Sequence, residues 1–82
     1  MKGVLKMKKV LDKMDSIFDY YLDELENINF RSDVEEILEC YYGEVQNLIK
    51  KSSLNNEDKK KIENLMEFTI MLLKGYGMNK LI

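Results

Sequence analysis

At 82 residues the chain is close to the smallest size at which one hydrophobic core holds a protein folded, and a formal net charge of −2 with a pI near 5.1 argues against a phosphate-binding surface. Histidine, proline and tryptophan are absent, and Cys40 is the only cysteine. These absences remove the Ser-His and Cys-His nucleophile pairs, the ordinary zinc ligand sets and any intrachain disulfide framework.

A first helix is predicted over about residues 2–27. Val4, Met7, Leu11, Met14, Phe18, Tyr21, Leu25 and Ile28 follow one another at alternating steps of three and four, which keeps one apolar stripe on one side of a helix. Val10, Ile17 and Leu22 widen that stripe enough to pack against two neighbours. Asn27, Asn29, Arg31 and Ser32 then break the pattern, and Ser32 with Glu35 three residues on reads as a capping box.

The second helix, about residues 33–51, repeats the rhythm with Val34, Leu38, Tyr41, Val45 and Leu48, broadened by Ile37, Tyr42 and Ile49. Gly43 falls on its outer face, where it costs about 1 kcal/mol relative to alanine. Asn55 with Asp58 reads as the cap of a third helix over about residues 56–74. Its predicted core stripe is Ile62, Leu65, Thr69 and Leu72, with Met66 and Leu73 alongside. Gly75 reads as a left-handed terminal cap, and residues 75–82 as a tail folding back on the bundle end. The expectation is one all-α domain, an antiparallel three-helix bundle with a long first helix, and oligomeric.

Nothing in the N-terminal residues reads as a signal peptide, and no run approaches the ~20 apolar residues of a spanning helix. A cytoplasmic location is therefore expected. Charge is uneven: Lys2, Lys6, Lys8 and Lys9 precede a segment, Val10 to Leu48, that holds eleven acids against Lys13 and Arg31. Asp15, Asp19 and Asp23 recur at four-residue steps, about 6 Å apart on one outer face. That row is either a solvated face or a docking face for a basic protein partner. Nucleic acid is the weaker partner, because Arg31 is the only arginine and base readout favours arginine.

Residues with chemical potential are few. Tyr21 and Tyr41 fall on the core stripes, while Tyr20 and Tyr42 sit at their edges. Cys40 lies outward with no histidine to activate it. No carboxylate spacing matches a metal site, so no cofactor and no catalytic residue are expected, and the chain reads as a non-enzyme. Among the methionines, Met7, Met14 and Met66 face the core and Met71 does not. Phe68, Ile70 and Met71 are apolar yet point away from the predicted stripe of helix three. Val4 and Met7 lie where a long first helix overhangs its neighbours. These five are the expected self-association residues.

In size and composition alone the chain is similar to small helical inhibitors of phage and plasmids and to bacteriocin immunity proteins. The function expected from the sequence is a protein-binding regulator or inhibitor acting through helical surfaces. An immunity-like protein engaging a membrane target is the alternative, and a small nucleic-acid-associated protein is a further one.

Overall fold

The computed structural model describes residues 2–81, with side chains from Lys6 onward. It consists of α1 (Lys2–Glu26), α2 (Arg31–Lys51) and α3 (Asn56–Lys80), and no strand occurs among the described residues. The three pack into a rod measuring 46 × 17 × 17 Å.

Each boundary has a local cause. After α1, the Asn27 side-chain amide donates to the Asp23 carbonyl at 3.0 Å. At the start of α2 the Ser32–Glu35 box does not form. The helix begins two residues earlier, with extended Phe30 as its N-cap, so Asp33 occupies the third helical position. Its carboxylate accepts from the Phe30 N–H at 3.2 Å, whereas Phe30 has no side-chain oxygen with which to complete a reciprocal pair. The α2 end is closed by Ser52, whose hydroxyl donates to the Ile49 carbonyl at 2.6 Å. The cap of α3 is the one read from the sequence: Asn55 Oδ1 accepts from the Asp58 N–H at 2.8 Å.

Helix α3 departs from expectation in length and in rotation. It does not stop at Lys74; it continues through Gly75 and Gly77 to Lys80, and no described glycine takes a positive φ. Residues 75–80 are therefore helix and not a tail. Two helical glycines cost about 1 kcal/mol each. Against that cost, Gly77 is buried against Leu25 and Val34, Met78 and Leu81 pack on the core, and the Tyr76 hydroxyl donates to the Glu26 carboxylate at 3.2 Å. The Lys80 ammonium also donates to the Glu26 carbonyl. Consequently α1 and α3 are both 25 residues long against 21 for α2, so the first helix is long, as expected, and the third equals it.

The buried core comprises Val10, Met14, Tyr21 and Leu25 from α1, Val34, Leu38, Tyr41, Val45 and Ile49 from α2, Leu54 from the connection, and Ile62, Met66 and Leu73 from α3. The α3 stripe is thus Ile62–Met66–Leu73–Gly77, turned about one residue from the predicted Ile62–Leu65–Thr69–Leu72. Leu65 and Leu72 remain 44% and 57% exposed. Between Leu65 and Leu73 apolar residues occupy most of the helix circumference, so periodicity alone does not select a face there. Gly77 does, by admitting Leu25 and Val34 to the helix backbone.

A Cβ at Gly77 would stand 3.1 Å from Leu25 Cδ2 and 3.1 Å from Val34 Cγ2, both on fully buried side chains. At Gly43 a Cβ would meet nothing within 4 Å. Gly77→Val is expected to lower the free energy of unfolding by about 1–3 kcal/mol through overpacking, and Gly43→Ala to raise it by roughly 0.5–1 kcal/mol. Urea denaturation of the two variants beside the wild type measures both.

Candidate interaction surface

With α3 turned this way, its outward face carries Leu65, Phe68, Met71, Leu72 and Tyr76, the most open being Met71 at 72% and Phe68 at 58%. Leu65, Phe68, Leu72 and Gly75 are spaced three, four and three apart, so they form one seam along the helix. The charged residues of this stretch, Glu63, Glu67 and Lys74, fall on other sides. A single helix therefore presents two apolar faces, one to the core and one to water.

Of the three helix pairs, α1 and α3 touch least. Between them an open groove of about 270 Å³ is lined by Leu11, Met14 and Phe18 from α1 and by Leu65, Phe68 and Leu72 from α3, with Tyr41 and Thr69 contributing. Asp15 also lines this groove. Asp15, Asp19 and Asp23 are all exposed, and none forms an ion pair with another described residue. Asp15, the first member of the acidic row, therefore borders the same concavity as the apolar α3 face, a juxtaposition that sequence spacing did not reveal.

The five residues expected to self-associate separate. Phe68 and Met71 are exposed, but Ile70 and Met7 are half-buried and pack against the chain's own core. Ile70 thus does not point away from the bundle as expected. The Val4 side chain lies outside the described residues. Leu65, Leu72 and Tyr76, which join the outward face, were missed. A second in-phase series, Ile62, Met66, Leu73 and Gly77, was the available signal that the buried stripe lies elsewhere.

The tyrosines fall as predicted, Tyr21 and Tyr41 buried, Tyr20 and Tyr42 exposed. Tyr21 meets Tyr41 edge to face at 6.0 Å, and Tyr20 meets Tyr21 in the same way at 5.0 Å. A second open groove, about 430 Å³ between α1 and α2, is lined by Tyr20, Tyr21, Glu24, Asp33, Glu36 and Cys40 among others. Cys40 is exposed. Among the described residues, no group of three His, Cys, Asp or Glu side chains is placed to hold a metal ion, and no helix is long and apolar enough to cross a membrane.

Burial, followed by the nearby Glu44 carboxylate, pushes the Tyr21 phenol up to about 12. Burial also raises Tyr41, opposed by the neighbouring Thr69 hydroxyl and helped by a smaller push from the Asp15 charge. Both phenols are held neutral by the fold, so the unfolded chain ionises first, near its ordinary value of about 10. Their stabilisation is complete below about pH 10 and is lost as pH rises through the raised folded-state values, about 12 for Tyr21. Tyr21→Phe is expected to flatten the decline in thermal midpoint between pH 10 and 12, measured by circular dichroism. No family model, no curated protein and no solved structure matches this chain, so its function rests on its own surfaces.

Proposed function

We propose that this chain is a non-enzymatic, all-helical interaction protein that regulates or inhibits another protein by occupying its surface. The observation that carries this reading is the outward α3 face. Leu65, Phe68, Met71, Leu72 and Tyr76 leave a contiguous apolar surface of a kind that marks binding sites. Tyr21 against Tyr41, with Leu25 near Val34, pairs rising numbers in α1 with falling numbers in α2. Those pairings support an antiparallel course for α1 and α2, with α3 returning beside α1.

The two parts of the surface have different physical roles in this proposal. Phe68, Met71 and their neighbours supply burial, and so affinity. Asp15, Asp19 and Asp23 supply a field that attracts a basic partner before contact.

The test begins with capture of the partner by the tagged chain from the cells it comes from, and its identification by mass spectrometry. Phe68→Glu should release that partner. Replacing Asp15, Asp19 and Asp23 with asparagine should slow association on the order of tenfold at low salt and flatten its salt dependence, with helicity unchanged. Stopped-flow association at several ionic strengths measures this. A captured protein retained equally by all these variants would overturn the reading.

A further inference from the structure

We propose that the occupant of the outward α3 face is a second copy of this chain, with α3 packed antiparallel on the same helix of its partner about a two-fold axis that crosses the outward face at the height of position 70. This rests on the reading above that the outward α3 face is a docking surface: the second copy covers the apolar seam, and the acidic row is left to the other protein.

Surface area is the first argument. The chain exposes 6024 Å² against roughly 5,200 Å² for a compact monomer of 9.8 kDa, an excess that a 46 × 17 × 17 Å rod spreads over its whole surface. Leu65, Phe68, Met71, Leu72 and Tyr76 are large apolar side chains gathered on one side of that rod, and they are what a second subunit would cover.

Charge is the second. In a two-fold interface one patch meets its own copy, so a charge near the axis faces its like. Leu65, Phe68, Leu72 and Gly75 of the seam, and Met71 and Tyr76 on its flanks, include no Asp, Glu, Lys or Arg, in a chain that is 34% charged. Lys61, at the seam's near end, lies 4.0 Å from Glu57 of its own helix.

Spacing is the third. The steps of Leu65, Phe68, Leu72 and Gly75 read the same in both directions about Ile70. A reversed copy therefore sets Leu65 over the partner's Gly75 and Phe68 beside the partner's Leu72. This gives Gly75 a reason to be glycine. It is exposed, it weakens the helix, and a Cβ there would meet nothing within 4 Å in the single chain. Across the two-fold, the missing side chain makes room for a leucine.

The acidic rim separates this occupant from a basic partner. Asp15 borders the groove in both copies, so the rims carry the same sign. Raising salt should leave the pairing unchanged or tighten it, whereas a basic occupant would be lost.

The experiment is sedimentation velocity with light scattering on the full chain, from low micromolar concentrations to about 500 μM. The expected species has twice the 9.8 kDa chain mass, persisting or strengthening up to roughly 1 M salt. Phe68→Glu should give a monomer of unchanged helicity, because that side chain is 58% exposed in the single chain. Gly75→Leu should weaken dimerisation at least about tenfold with helicity kept or raised. A wild type that stays monomeric over the whole range overturns the proposal. So does a dimer that both variants leave intact, or one that salt dissociates. If the wild type is monomeric but Phe68→Glu still releases a captured protein, the docking face stands and only the second copy fails. If neither association exists, both readings fail.

Discussion

The rotation of α3 about its own axis depends on Gly77, where Leu25 and Val34 approach the helix more closely than a Cβ is ordinarily approached. Turning the helix by one residue to bury Leu65 and Leu72 would carry Gly77 out of this contact. It would also carry Met66 and Leu73 towards water. Such a turn would exchange Met66 and Leu73 for Leu65 and Leu72, side chains of similar size, so the close approach at Gly77 is what distinguishes the two. The outward seam follows, because it is made of the residues this choice excludes from the core.

The same contact explains why the helix continues where a stop was expected. Gly75 and Gly77 are only two residues apart and have opposite surroundings, one open and one enclosed. A left-handed cap at Gly75 would have ended the helix before Gly77 reached Leu25, and before Tyr76 and Lys80 reached Glu26. Burial and those two hydrogen bonds outweigh the conformational entropy that glycine loses in a helix.

A small chain with a narrow core has little apolar area to spare, yet this one leaves large side chains outside it. Held apart from α1 by a looser contact, α3 opens a groove with apolar walls and Asp15 at its edge. In general, apolar burial acts only at contact and sets residence time, while the field of exposed charges reaches about a Debye length and sets encounter. A groove that offers both kinds of group suits a protein whose proposed activity is association.

Three helices, the breaks between them and the Asn55 cap were legible in residue order, because they depend on local spacing and on side chains within a turn of one another. So were the burial of Tyr21 and Tyr41 and the exposure of Cys40 and Gly43, each a consequence of position relative to a clear stripe. The residues from Leu65 to Leu73 were not legible in this way. Apolar on nearly every side, they fit more than one rotation equally well, and local pattern carries no information about which neighbour will press against the backbone. Only the tertiary contact of Gly77 with Leu25 and Val34, residues distant in the chain, decided which leucines are buried and which face outward. The placement of Asp15 at the rim of an apolar groove was likewise settled by packing, since it needs α1 and α3 side by side.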